Sequence, residues 1–370
     1  ESSYLYGLGL SGSAFILLFS HLWETDWQSP LGAIGLVIPL TLCLTGRQQA
    51  SLVATSGALL ITVGLPWPRL VGLGTATTLT LVNNRSERWR GLPFITVGLG
   101  LSFIVFALFD GVPIYPRIVA DWSVVIAGLA GAVWLLWRSL SAIANDDEES
   151  LATFYRAALD LWGHLLTVGL LLFMSLAVGF IYEGAAPPAI AYSVAQVALL
   201  AVLAWRYWRA ADPVSIYLAG WGVELLVAQA LTWQPLTPLT LALPTLGLGA
   251  IAGVIATRLP QAQAALQRPL CHLTLAYTVL ALGLRSDTWT AWTGGLIIGA
   301  ALLLIAVSGR LQLPQLRWLA LFGLSAGSYE LVLYQLSQAS GGNPVDGVIV
   351  LAAVSVVIMA AYQQLAVRFE

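Results

Sequence analysis

The chain has 370 residues, of which 58% are hydrophobic and only 9% are charged, and its formal net charge is −2. Soluble domains carry about 25% charged residues, so this composition excludes an ordinary soluble protein and indicates an all-α integral membrane protein whose solvent is a lipid bilayer. The weak net charge also excludes nucleic acid as a partner, because binding to phosphate needs clustered basic residues. Cys43 and Cys271 are too few to build a disulfide framework or a metal site.

Apolar runs of the length that crosses a bilayer predict about fourteen transmembrane helices. In chain order the predicted spans are Tyr4–Trp23, Pro30–Gly46, Ala50–Leu65, Pro68–Asn84, Gly91–Phe109, Val119–Ile143, Leu161–Tyr182, Pro188–Trp205, Pro213–Trp233, Leu236–Thr257, Leu270–Leu284, Trp289–Val307, Leu316–Leu336 and Val348–Val367. The first run lacks a basic flank and is too long for a signal peptide, so we predict that it is a true span. Several early runs are near the lower length limit, and a re-entrant pair among them would reduce the count to twelve.

The connections between the predicted spans alternate between two kinds. Connections from odd to even spans are short and rich in proline, tryptophan and acid, as in Pro66–Pro68 and Trp233–Pro235. The even spans end instead at arginine, at intervals of roughly fifty residues, which is the spacing of a repeated two-helix unit. These arginines are Arg47, Arg85, Arg138, Arg206, Arg258, Arg310 and Arg368. We therefore predict seven tandem helical hairpins. Paired glycines such as Gly249 and Gly253 would let neighbouring backbones approach closely.

All sixteen basic residues are arginine, and their distribution predicts the orientation of the chain. Arg69, Arg117 and Arg285 fall on the side of the acid-rich turns, and the other thirteen fall on the opposite side. The positive-inside rule then places both termini in the cytoplasm. The predicted location is a cytoplasmic (inner) or thylakoid-type membrane.

An acidic segment divides the predicted spans into three hairpins and four. Residues 146–160 begin with Asp146, Asp147, Glu148 and Glu149 and continue into a short amphipathic stretch, for which Ser150 is a suitable helix cap. We interpret this segment as a cytoplasmic linker with a short amphipathic helix, or as a docking site for a partner. Residues 1–145 would hold the first three hairpins and residues 161–370 the last four, within one continuous membrane domain.

Two carboxylates interrupt the apolar spans. Glu224 and Glu330 lie about eleven and thirteen residues from the predicted starts of their helices, which at roughly 1.5 Å per residue places both near the bilayer midplane. Their contexts, Ala219–Leu225 and Ser325–Leu331, are similar, so we predict the same position in two repeats. An ionised acid at this depth costs several kcal/mol, so each carboxyl should be neutral, paired or lined by water. The sequence offers no arginine at that depth to pair with either.

Two interpretations of the carboxylates remain open. They form a proton, cation or substrate site in a path that also includes Tyr329, Gln229 and Tyr334. Alternatively, they are protonated structural carboxyls, hydrogen-bonded across helices to Tyr329, Tyr334, Gln229 or Gln335.

The three histidines are weaker candidates for ligands of a cofactor. His21 lies near the outer end of the first span, and His164 and His272 begin the seventh and eleventh spans near the inner face. Two histidines at one depth are able to hold a haem or the magnesium of a chlorophyll. Nothing else in the sequence supports such a group, so we predict no cofactor and interpret the histidines as interfacial hydrogen-bonding residues.

The sequence therefore favours transport over catalysis. It contains no HExxH or GxSxG motif and no paired aspartates with metal spacing inside a span, so we do not expect an enzyme. We predict a transporter or permease for a small solute or ion that uses the mid-membrane carboxylates. The alternative is a structural or assembly subunit that packs against other membrane proteins. A third alternative is a subunit that binds a pigment or haem.

Overall fold

The computed structural model describes residues 36–62, 66–87, 89–110, 119–143, 150–233, 238–260, 264–285 and 289–338, together with a few positions between 352 and 363. The fold is all-α, as predicted, with 90% helix and no strand in the described ranges. The first predicted span and the larger part of the last one lie outside these residues.

The described helices follow the predicted apolar runs closely. In chain order they are α1 (Val37–Leu44), α2 (Gln48–Thr62), α3 (Pro66–Glu87), α4 (Leu92–Asp110), α5 (Val119–Ile143), α6 (Leu151–Tyr182), α7 (Ile190–Arg209), α8 (Pro213–Leu231), α9 (Pro238–Arg258), α10 (Ala264–Leu284), α11 (Ala291–Leu311) and α12 (Gln315–Gln338). Glycine makes two of the turns possible, because Gly46 and Gly184 adopt φ values of +74° and +72°.

Seven of the described helices, α4 to α9 and α11, are long and apolar enough to cross a membrane. This supports the prediction of a membrane protein but does not confirm fourteen spans. The predicted spans at α2, α3, α10 and α12 form helices, yet they lie outside that set of seven within the described residues.

The amphipathic stretch after the acidic segment differs from the prediction of a separate short helix. It forms the first turns of α6, which continues without a break from Leu151 to Tyr182. Ser150 caps this helix as predicted, because the backbone N–H of Thr153 donates to Ser150 Oγ at 3.2 Å. The four acids before it lie outside the described residues.

The predicted hairpins are not the helix pairs with the most extensive packing. The structure packs α3 with α4, α9 with α10, and α11 with α12 more extensively than it packs the predicted partners α8 with α9 or α10 with α11. Each of these favoured pairs is joined on the arginine-rich side. The chain divides into two compact units, residues 1–170 and 171–370, and the boundary falls within α6.

In the first unit, tryptophan rings pack against glycines on neighbouring helices. Trp134 of α5 is fully buried and lies over Gly163 of α6, where an added Cβ would come within 2.6 Å of the ring. Trp162 of α6 covers Gly98 of α4, and its Nε1 donates to the carbonyl of Phe94 at 2.8 Å. The missing side chains of the glycines provide the space that these rings occupy.

In the second unit, glycines bring helix backbones together. Gly249 and Gly253 of α9 face Thr274 and Tyr277 of α10, with 3.3 Å from an ideal Cβ to the nearest atom in each case, as predicted for paired small residues. The backbones of α11 and α12 also meet closely, at Gly294 and Gly327. A Cβ on Gly294 would lie 2.6 Å from the carbonyl oxygen of Gly327.

The contact between α11 and α12 gives a first prediction. Gly294→Ala should destabilise the protein by about 1–3 kcal/mol, because the added methyl group meets backbone that is unable to move aside. Gly295→Ala is the matched control, since an ideal Cβ there meets no atom within 4 Å. Tryptophan-fluorescence melting in detergent measures both variants. Equal melting temperatures for Gly294→Ala and the wild type would contradict the close approach.

Candidate functional site

The candidate site is centred on α8, which carries Glu224. Pro213 occupies the first turn of this helix, and the side chain of Asp212 caps it by accepting from the N–H of Val214 at 3.1 Å. Glu224 follows Pro213 by eleven residues, or about 16 Å at 1.5 Å per residue, so it lies near the middle of the helix. Its side chain is 7% exposed. Neighbouring helices thus enclose a carboxyl in the interior of the second unit.

One oxygen of the Glu224 carboxyl is bonded to a hydroxyl of the next helix. Thr245 Oγ1 of α9 donates to Glu224 Oε1 at 2.5 Å. The other oxygen, Oε2, is buried and has no hydrogen-bond partner among the described residues. No salt bridge of the described chain reaches Glu224. A buried acid with one neutral donor and no cation is poorly stabilised in its ionised form.

The hydroxyl of Thr245 has two acceptors and a single proton. It lies 2.9 Å from the carbonyl oxygen of Leu241 as well as 2.5 Å from Glu224. When Glu224 is ionised, Thr245 donates to the carboxylate. When Glu224 is protonated, its own O–H donates to Thr245 Oγ1, and Thr245 donates to Leu241. The same geometry therefore accommodates both charge states of the acid.

Two tyrosine hydroxyls bracket Glu224 along α8. Tyr277 of α10 donates to the carbonyl of Gly220, four residues before Glu224, at 2.6 Å. Tyr182 of α6 donates to the carbonyl of Ala228, four residues after Glu224, at 3.2 Å. The acid thus has a phenol about one helical turn away on each side.

Two buried amides, one on α7 and one on α8, lie on the side of α8 away from Glu224. Gln196 of α7 is fully buried against Gly222, and neither of its amide atoms has a hydrogen-bond partner among the described residues. Gln229, a predicted path residue, is 3% exposed, and its Nε2 contacts the sulfur of Met174 at 3.3 Å. Gln229 and Glu224 lie on the same helix, but their side chains contact different partners.

Glu330 has a different environment from Glu224, contrary to the prediction of equivalent positions. Its Oε2 accepts a hydrogen bond from Arg285 Nη1 at 2.6 Å, with 20% of the arginine side chain and 18% of the glutamate side chain exposed. The expectation that no arginine is available was wrong, because Arg285 follows the end of α10 and its side chain reaches α12. Of the predicted neighbours, Tyr329 is 43% exposed and Tyr334 packs edge-on against Trp289 at 5.8 Å.

Two histidines of the described chain form specific hydrogen bonds through Nδ1. His164 Nδ1 lies 2.8 Å from the carbonyl of Asp160 on its own helix, and His272 Nδ1 lies 2.6 Å from the hydroxyl of Tyr217 on α8. Hydrogen bonds of this kind also orient metal-ligating histidines, so they test neither the prediction of no cofactor nor the haem or chlorophyll alternative. His21 lies outside the described residues. Within the described ranges, no group of three or more His, Cys, Asp or Glu side chains is placed to hold a metal ion.

Sequence reasoning missed the partners of both acids. Thr245 follows Pro244, a proline inside α9, and a hydroxyl beside a helix proline in an apolar span was the available signal. Arg285 had a signal too, since it is one of three arginines on the acid-rich side. Tyr182 and Tyr277 had none, because only the packing brings their hydroxyls to α8.

Comparisons of this chain with family models, with curated proteins and with solved structures find no match.

The Glu224–Thr245 contact gives a second prediction. Thr245→Val removes the hydroxyl and leaves both oxygens of a buried carboxyl without a donor, which should cost about 1–3 kcal/mol of stability. Thr245→Ser restores the hydroxyl and should recover part of that loss. Thr257→Val is the matched control on the same helix, because its hydroxyl bonds only the carbonyl of Val254 one turn earlier. Equal melting temperatures for Thr245→Val and Thr257→Val would contradict the contact between Thr245 and Glu224.

The ion pair between Arg285 and Glu330 gives a third prediction. Arg285→Gln and Glu330→Gln should each destabilise the protein, because each removes one partner of a largely buried ion pair. The double variant should lose less stability than the sum of the two single losses, with a coupling of about 0.5–3 kcal/mol. A double-mutant cycle of detergent melting curves measures this coupling, and strictly additive losses would show that the two side chains do not interact.

Proposed function

We propose that this chain is a polytopic membrane protein that moves a small solute or ion, with Glu224 as the group that binds and releases the exchanged charge. The observation that carries this proposal is the geometry at Thr245, whose hydroxyl is placed to bond Oε1 of Glu224 when the carboxyl is protonated and when it is ionised. A carboxyl with only a structural role needs a single state, and a partner that bonds both states is the requirement for a site that cycles between them.

The rest of the proposal follows the predictions made from the sequence. The path would also include Gln229, Glu330, Tyr329 and Tyr334, with Arg285 now added as the charge partner of Glu330. Seven hairpins of fourteen spans would surround it, and both termini would lie in the cytoplasm. The membrane would be a cytoplasmic (inner) or thylakoid-type one, by the distribution of arginine. Support for the membrane itself comes from the seven long apolar helices.

Proton flux in proteoliposomes tests the role of Glu224. An imposed pH gradient, followed with a pH-sensitive dye trapped inside the vesicles, should collapse faster with the wild-type protein than in empty vesicles. Glu224→Gln keeps the size of the side chain but removes the titrating group, so its rate should fall to that of empty vesicles. Glu183→Gln is the matched control, because Glu183 is an exposed carboxylate in the turn after α6.

Two results would overturn the transport proposal. One is a flux with Glu224→Gln equal to that of the wild type, when melting shows both proteins to be folded. The other is the absence of any flux above empty vesicles, together with purification in fixed stoichiometry with another membrane complex. That second result would favour the alternative function, a structural or assembly subunit.

A further inference from the structure

Three exposed arginines lie at one end of the second unit, on three helices that all contact one another. They are Arg258 of α9, Arg268 of α10 and Arg310 of α11. The buried residues Ala256, Cys271 and Val307, one from each helix, form a common contact layer. Each arginine is two or three residues from the member of that layer on its own helix, toward the same end of the unit. At 1.5 Å per residue the three arginines therefore lie about 3–4.5 Å beyond one layer, at a similar depth.

Two side-chain contacts hold these helix ends together. Arg310 Nη2 donates to the carbonyl of Thr257 at 2.6 Å, so its guanidinium lies against the end of α9. Gln267 Nε2 donates to the carbonyl of Ala256 at 3.0 Å, which places the residue before Arg268 against the same end of α9. The ends of α10 and α11 that carry arginine are therefore both fixed to the end of α9. An arginine has five N–H donors, so Arg310 retains donors beyond the one that bonds Thr257.

These three helices supply no carboxylate to neutralise the arginines. Between Glu224 and Glu330 the sequence contains a single acid, Asp287, which follows α10 at the opposite end of the helices. No ion pair of the described residues includes any of the three arginines. On neighbouring α8, Asp212 caps its own helix by accepting from the N–H of Val214. Three like charges at one depth repel one another, so an anion from outside the chain stabilises them.

Exposed apolar side chains continue along the helices from the arginines. Ile251 and Val254 are exposed and lie seven and four residues before Arg258, so they share its helix face. On α11, Leu302 is exposed and lies eight residues, or about two turns, before Arg310. A charged group at each helix end is thus followed by about two turns of outward-facing apolar surface. An anionic phospholipid has the same order of groups, with a charged phosphate above its acyl chains.

We propose that Arg258, Arg268 and Arg310 form a binding site for the headgroup of an anionic phospholipid on the arginine-rich side of the membrane. Guanidinium suits this ligand, because its planar N–H groups bond phosphate oxygens in pairs. Basic pockets between membrane helices bind such headgroups. The exposed apolar faces of α9 and α11 contact the acyl chains, which a free phosphate ion lacks. This site adds a lipid partner to the proposed function and does not depend on Glu224.

Native mass spectrometry of the full chain in detergent tests the site. The probes are phosphatidylglycerol and phosphatidylcholine with identical acyl chains, so that the two lipids differ only in their headgroups. The wild type should bind phosphatidylglycerol roughly tenfold or more tightly than phosphatidylcholine. Arg258→Gln, Arg268→Gln and Arg310→Gln should each weaken the binding of phosphatidylglycerol about fivefold, since each basic residue near an anionic lipid contributes about that much. The triple variant should bind the two lipids equally.

Arg209→Gln is the matched control, because Arg209 is an exposed arginine at the end of α7 and not on any of the three packed helices. Its affinity for phosphatidylglycerol should equal that of the wild type. Tryptophan-fluorescence melting shows whether each variant is folded. If Arg310→Gln unfolds because it loses the bond to Thr257, Arg258→Gln and Arg268→Gln still test the site.

Three results would overturn the lipid site. One is equal affinity of the wild type for the two lipids, and another is a loss with Arg209→Gln as large as that with Arg258→Gln or Arg268→Gln. The third is displacement of bound phosphatidylglycerol by an equal concentration of glycerol phosphate, which would indicate a site for a soluble phosphate compound. Glu224→Gln should bind phosphatidylglycerol as the wild type does, so loss of proton flux and loss of lipid binding are separate results.

Discussion

The buried carboxyl of Glu224, a residue of α8, is the constraint on which the packing of the second unit depends. A charged or polar group removed from water must find its partners within the protein, because lipid offers none. At Glu224 that partner is Thr245 of α9, and about one turn away on each side the tyrosines of α10 and α6 bond backbone carbonyls of α8. Residues of three other helices therefore meet α8 within about one turn of Glu224.

The two acids, Glu224 and Glu330, have different hydrogen-bond partners. Glu330 has a full counter-charge, since Arg285 reaches it from the end of α10. Glu224 has only a hydroxyl, which bonds the acid in either protonation state. In the first arrangement a cation lies against the acid. The second permits a change of charge, and this difference is why Glu224 rather than Glu330 is the centre of the proposed site.

The sequence predicts the helices well and their partners poorly. Apolar runs bounded by proline, tryptophan and arginine locate α5 and α8 to within a few residues, because a helix in lipid must satisfy its own backbone. The predicted hairpins are not confirmed, because the most extensive packing in the described residues is between helices of neighbouring hairpins, and short connections permit either neighbour. The partner of Glu330 was missed for a related reason: a long arginine side chain reaches well away from its place in a turn. Local similarity around the two glutamates indicated equivalence, but packing determines what each contacts.

The polar residues of α10 lower the hydropathy of this helix and also contact the helices beside it. This helix carries Gln267, Arg268, His272 and Tyr277 along with buried threonines, and it is not among the seven helices that are apolar enough to span a membrane by composition. Its polar groups face α8 and α9, where Tyr277 bonds the carbonyl of Gly220 and Gln267 bonds that of Ala256 at 3.0 Å. A helix of this kind is stable in lipid only when neighbours cover its polar face. The residues that lower its hydropathy therefore include those that bond α8 and α9, so a search for apolar segments alone ranks the helix that carries His272 and Tyr277 below its neighbours.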